Sequence, residues 1–204
     1  MRGLLNKKST RSIGGATMEY NKGLSPEDKI IGTDQTVADF WKWGFSNLLT
    51  NSLRGIYAEF LVGVAIEALN GSRVEWDAFD IDYNGIKIEV KSSAYIQAWY
   101  NGNHSKISFG IAEKKEYDYA TNKYSAIAQR HAQVYVFCLL KEKDRDRINP
   151  LDTRQWEFYV VATKDLNHFY PQQKSIVLSS LQKIAKPIRY DELKFEMDRV
   201  IDNL

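Results

Sequence analysis

Cysteine is all but missing from this 204-residue chain, which has only Cys138. No internal disulfide can form and no cysteine cluster can hold a structural zinc, so a reducing compartment, the cytoplasm, is the expectation. Cys138 itself lies inside the apolar run VYVFCLL and reads as core. Histidine is scarce too. His104, His131 and His168 lack the close spacing of a metal site, which disfavours a zinc enzyme. An excess of one charge is also lacking: 28 basic against 26 acidic residues leave +2, so any basic surface has to be local. The longest apolar runs, at 60–66 and 134–140, fall short of the roughly 20 residues a membrane span needs. No apolar segment of signal-peptide length follows Arg2, Lys7, Lys8 and Arg11, so secretion is not indicated. There is no glycine-rich phosphate loop, hence no nucleotide cofactor is expected, and no internal repeat.

What remains, 44% hydrophobic and 26% charged residues, is the composition of one globular domain. Residues 1–30, rich in Gly, Ser, Thr and Lys, read as a flexible basic arm in which Met18 is an alternative start; 31–204 read as the domain. Thr33 and Asp34 are capping residues ahead of VADFWKWGFSNLL, whose apolar positions recur at helical spacing. A second helix spans about 53–69, stopped by Asn70-Gly71, and is apolar on nearly every side between Ile56 and Leu69. Glu59 is out of place there, with no basic residue one turn away to neutralise it.

Residues 74–83 and 86–93 read as strands joined by Asn84-Gly85, the strongest short signal for a two-residue hairpin. That turn sets Tyr83 against Ile86, Ile81 against Ile88 and Phe79 against Val90 on an apolar face. On the other face Asp82 meets Lys87, Asp80 meets Glu89, and Ala78 meets Lys91. KISFGI (106–111), VYVFCLL (134–140) and QWEFYVV (155–161) are further strands. Residues 113–131 read as partly helical, 144–154 as a loop, and about 189–203 as a closing amphipathic helix.

Alternating charge on a hairpin is by itself the mark of a solvated face. Two carboxylates side by side are different: like charges about 4 Å apart cost roughly 4 kcal/mol at an effective dielectric near 20. Lys91 supplies one positive charge, and a hard divalent cation on oxygen ligands would supply the rest. A third carboxylate, Glu59, fits a metal site better than a surface. Asp77 is the rival to Asp80 but has the opposite strand parity, so it serves only if a bulge intervenes. Just beyond, Trp99, Tyr100, His104, Lys106, Lys114 and Lys115 mix rings and cations as a nucleic-acid surface does; the alternative is a solvated loop with its aromatics tucked into the core.

A helix bearing Glu59, then Asp80, then Glu89-Val90-Lys91 within IEVKSS, resembles the PD-(D/E)XK nuclease superfamily, the restriction-endonuclease-like fold, over roughly residues 52–140. Phe79 stands where the motif's name has proline. The resemblance implies an α/β chain with an αβββαβ core, a mixed central sheet flanked by helices, and a C-terminal strand and helices as elaboration. It implies an endonuclease dependent on Mg²⁺, with Mn²⁺ as substitute, that hydrolyses DNA phosphodiester bonds. Asp80 and Glu89 would bind the metal with the Val90 carbonyl as third ligand, Lys91 would orient and polarise the attacking water, Glu59 would help hold metal or water, and Gln97 would sit near the scissile phosphate. Restriction or defence is the implied setting, and many such nucleases form homodimers to cut both strands. Two alternatives stand: a catalytically silent nucleic-acid-binding or partner-binding module of the same fold, and a nuclease for branched DNA or RNA.

Overall fold

The computed structural model describes residues 23–69, 73, 79–115, 117–118 and 122–204. Helix α1 (Val37–Phe45) opens on a capping box: the Thr36 hydroxyl accepts from the Asp39 N–H, and the Asp39 carboxylate accepts from the Thr36 N–H at 2.8 Å. The cap is Thr36 rather than Thr33 or Asp34, because the Thr33 hydroxyl is spent on the preceding turn, donating to the Ile30 carbonyl. Helix α2 (Asn51–Ala65) ends earlier than its apolar run suggests. Glu67 turns left-handed (φ 58°), its N–H donates to Val64 O and the Ala68 N–H donates to Gly63 O, a Schellman closure. The expected stop at Asn70-Gly71 lies outside the described residues.

Asn84 (φ 54°) and Gly85 (φ 86°) form the left-handed pair that a tight hairpin needs, joining β1 (Ile81–Tyr83) to β2 (Ile86–Ala94). The turn sets the register: Tyr83 faces Ile86, Asp82 faces Lys87 and Ile81 faces Ile88. Along the chain follow β3 (Ser108–Gly110), β4 (Tyr117–Asp118), β5 (Lys123–Tyr124), β6 (Val134–Leu140), β7 (Trp156–Ala162), α3 (Thr163–Phe169), β8 (Ser175–Val177), α4 (Leu178–Leu181) and α5 (Leu193–Ile201). The main sheet has the order β1-β2-β6-β7, antiparallel at both edges and parallel between β2 and β6.

Strand β6 is covered on both faces, which is why every one of its residues is apolar and buried. Val134, Val136, Cys138 and Leu140 face a core closed by Ala58, Leu61 and Val62 of α2 and by Leu193 and Met197 of α5. Tyr135, Phe137 and Leu139 face a second core closed by Phe109 of β3, Leu166 of α3 and Leu181 of α4. The Tyr83 hydroxyl donates to Asp198 and accepts from Lys194, both at 2.9 Å, which fastens α5 to the hairpin. The chain is thus a mixed α/β fold with a four-stranded sheet flanked by helices and a C-terminal strand and helices added to it.

Three local expectations change. KISFGI does contain a strand, but β3 pairs with β8 in a small separate sheet that covers the second core. In the stretch 113–131 the described residues hold the β4–β5 hairpin and a bridge between Lys114 and Gln129 instead of a helix. Phe79 does not share a face with Ile81: it joins the second core while Ile81 joins the first. The cause is a bulge, in which the Asp80 N–H donates to Ile88 O at 3.0 Å although Ile88 is already the partner of Ile81. No helix among the described residues is long and apolar enough to cross a membrane.

Candidate active site at the edge of the sheet

The bulge creates the site. With two residues set against one, the Asp80 side chain turns along the sheet edge and its Oδ2 accepts from the Val90 N–H at 2.6 Å, a bond a regular ladder would give to a backbone carbonyl. A strand residue's N–H and C=O leave on the same side, so the Val90 carbonyl opens on the edge that Asp80 occupies. Glu89 and Lys91 alternate with Ile88 and Val90 on β2 and therefore project together from the opposite face to α2, where Lys91 donates to Glu89. Glu89 is nearly enclosed, its side chain only 7% exposed. Lys114 reaches in from the bridge at Gln129 and places its Nζ 3.1 Å from the same Glu89 oxygen. A residue expected on a nucleic-acid surface is thereby brought to the carboxylates.

Asp80 has no such ion-pair partner. Among the described residues no ammonium or guanidinium contacts it, and burial lifts its pKa to about 6, with the nearby Glu89 and then Glu59 adding to the rise against the pull of the Val90 N–H and the more distant Lys91 charge. Burial, then Glu89, also raises the pKa of Tyr135, whose backbone is paired with Glu89. Carboxylates on both sides of the sheet edge thus act on Asp80, which lies between them.

Glu59 is not the unpartnered acid that its helix suggests. Arg73 grips it with both arms of the fork, Nε to Oε2 at 2.5 Å and Nη2 to Oε1 at 3.0 Å. Helical spacing could not reveal this partner, since it comes from the connection beyond α2. The available signal was the solitary acid itself, which demands a cation from another segment. Arg54 was missed for the opposite reason. It is a basic residue at the start of a helix, a position usually solvated, yet it is 2% exposed. Its Nη1 donates to Gln97 Oε1 (2.6 Å) and Leu49 O (3.2 Å), and its Nη2 to Asn51 (2.6 Å). Its Nε has no partner, and burial lowers its pKa to about 10. Gln97 is buried as well, its amide nitrogen donating to Ala94 O at 3.1 Å, so both ends of that side chain are engaged within the protein.

Of the remaining expected residues, Tyr100 and His104 meet in another group. Tyr100 stacks on His104 (5.6 Å, 29°), and Tyr95, just past the end of β2, meets the edge of His104 at 6.3 Å. His104 Nε2 lies 2.9 Å from Lys143 O, which staples this loop to the next. Trp99 is exposed at the tip of the loop, and Lys106 and Lys115 are exposed nearby in sequence. Of these, Tyr100 and His104 form an aromatic group with Tyr95. Asp77, the rival acid, lies outside the described residues.

Among the described residues no three His, Cys, Asp or Glu side chains converge as a metal-binding set. The donors on offer are two carboxylates, Asp80 and Glu89, close enough for the charge of one to act on the other, and one backbone carbonyl, that of Val90. These are hard oxygen donors, and the acid that forms no ion pair among the described residues is held partly out of water. That donor set fits a hard divalent cation and suits no soft one.

Comparison with known families gives one finding. The family model described as bacteriophage T4 endonuclease IV matches residues 12–180, a span that includes Glu59, Arg73, Asp80, Glu89, Lys91 and Lys114. No curated protein matches the chain.

Proposed function

Because the chain belongs to the bacteriophage T4 endonuclease IV family, we propose that it hydrolyses DNA phosphodiester bonds at the Asp80, Glu89 and Lys91 cluster. We read that cluster as a PD-(D/E)XK site, with restriction or defence as its setting. The observation that carries this reading is the largely buried Asp80, without an ion-pair partner among the described residues, beside the enclosed Glu89 and Lys91. Asp80, Glu89 and the Val90 carbonyl would hold Mg²⁺ or Mn²⁺. Such an ion supplies charge neutralisation on the phosphate and a more acidic water.

The chain's own groups divide the remaining work. The Val90 N–H fixes the orientation of the Asp80 carboxylate, leaving its other oxygen for a ligand. Glu89 holds the Lys91 ammonium at the mouth of the site, where it can orient a water toward phosphorus and stabilise the charge that develops on the phosphoryl oxygens. Arg73 neutralises Glu59, which limits the repulsion Glu59 exerts on an incoming phosphodiester. The Tyr95, Tyr100 and His104 group and the exposed Trp99 offer rings to bases or sugars beyond the cut bond.

The test sets the purified protein beside Lys91→Ala against supercoiled plasmid, linear duplex, single-stranded DNA, branched DNA and RNA, each in Mg²⁺, Mn²⁺ or EDTA. Cation-dependent cleavage by the parent, reduced at least about 10²-fold in Lys91→Ala with unchanged folding, is the expected result. Full activity in Lys91→Ala, or in EDTA, would overturn the assignment. Cleavage of RNA alone would replace DNA as the substrate.

A further inference from the structure

Two ammonium groups, those of Lys91 and Lys114, converge on one oxygen of Glu89, while Asp80 accepts from a neutral N–H and forms no ion pair among the described residues. Positive charge is therefore present at the site but on the wrong acid. The two lysines are not equivalent. Lys91 shares a strand and a face with Glu89, only two residues away, and its side chain is mostly covered. Lys114 comes from another segment, and its side chain is 65% exposed even while it touches an acid that is 7% exposed.

The backbone of Lys114 is pinned. Its N–H donates to Gln129 O (2.9 Å), its carbonyl accepts from the Gln129 N–H (3.0 Å), and His131 Nε2 lies 2.8 Å from that carbonyl. Only the side chain is free to move, and its withdrawal into water leaves the enclosed Glu89 still paired with Lys91, so the break is cheap. A dication seated between Asp80 and Glu89 would face both ammonium groups at close range, and the one with room to leave is Lys114.

We propose that Lys114 is a resident counter-ion of Glu89 in the cation-free protein, and that a divalent cation binds by exchanging with it. This rests on the reading of Asp80 and Glu89 as cation ligands. The exchange makes occupation of the site and release of an ammonium one event. Lys114 becomes available to a phosphate only when the cation has arrived.

Isothermal titration of Mg²⁺, and separately Mn²⁺, into the full chain without nucleic acid tests it, using the parent, Lys114→Met and the charge-matched Lys123→Met. Lys123 is an exposed residue of β5. Unfolding midpoints in EDTA check that all three are folded. Removing the competitor should tighten cation binding roughly two- to fivefold in Lys114→Met, the range expected when a partly exposed ion pair no longer has to be broken. Lys123→Met should bind as the parent does. Equal or weaker binding by Lys114→Met would overturn the exchange while leaving the cation site standing, and so would an equal gain in Lys123→Met, which would mark a general charge effect. Absence of saturable binding in all three would remove the cation reading and the exchange together.

Discussion

Asp80 concentrates the energetic cost of the site. Its pKa in the folded protein, about 6, lies above the ordinary carboxyl value, so the folded state holds this proton more tightly than the unfolded chain does. Stability from this group is present at low pH and is lost as pH rises from about 4 to about 6. Above that, the cation-free protein carries a penalty on the order of 2–3 kcal/mol. Asp80→Asn, which keeps an oxygen for the Val90 N–H, should therefore raise the urea midpoint of the protein in EDTA at pH 7.5 and change it little at pH 3.5. A lower midpoint at pH 7.5 would mean that the ionised carboxylate is compensated by other groups. The same group gives cation binding a pH dependence. Affinity should climb through pH 6 and level off above it, with release approaching one proton per cation below that pH and vanishing above it, measurable by calorimetry in buffers of different ionisation heat. Sequence disclosed the identity of this residue but not its environment. Asp80, Glu89 and Lys91 stand out by spacing, whereas the Arg73 fork on Glu59 and the approach of Lys114 depend on chain segments whose paths no local pattern specifies.

Between elements, the decisive join is that of the start of α2 to the segment leaving β2. Arg54 holds Gln97, Gln97 holds Ala94 O, and the Ala98 N–H donates to Leu49 O at 3.1 Å, so the helix that carries Glu59 and the strand that carries Glu89 and Lys91 are clamped at one end. Gln97→Leu would leave a buried guanidinium short of an acceptor and should cost roughly 1–3 kcal/mol in chemical unfolding. Gln97→Glu supplies a carboxylate to the same guanidinium but sets an acceptor against Ala94 O, so it should recover only part of the stability lost in Gln97→Leu while keeping cleavage. If that substitution left the fold intact but abolished cleavage, Gln97 would instead belong beside the phosphate. The hairpin was readable from its turn as far as the Ile81–Ile88 pair, because Asn84-Gly85 fixes turn geometry and register there. The bulge one step past Ile81 was not, since alternation of side chains carries no record of a single extra residue. β3 was found as a strand but its partner β8 was not, because pairing across more than sixty residues leaves no trace in local hydrophobicity.

For the whole molecule, stability and surface are unevenly shared. The sheet and its two cores contain nearly all the large enclosed side chains, whereas α1 buries only Val37 and leaves Trp43 85% exposed, with Phe40, Trp41 and Phe45 half uncovered. Trp43→Ser should therefore shift the unfolding free energy by no more than about 0.5 kcal/mol, against roughly 3–5 kcal/mol for Phe137→Ala in the second core. The helical period of α1 was visible in the sequence, but its burial was not, because the same aromatic spacing serves a covered face and an open one. The lone thiol is at the other extreme. Cys138 is fully enclosed in β6 opposite Ser92 of β2, with its pKa pushed up by burial and by the charge of Asp80. A thiol-modifying reagent can reach it only when the strands beside the site separate. Its labelling rate is thus a built-in clock for how often the sheet opens, and a cysteine introduced on the surface would be the one position that takes a dye in the intact protein.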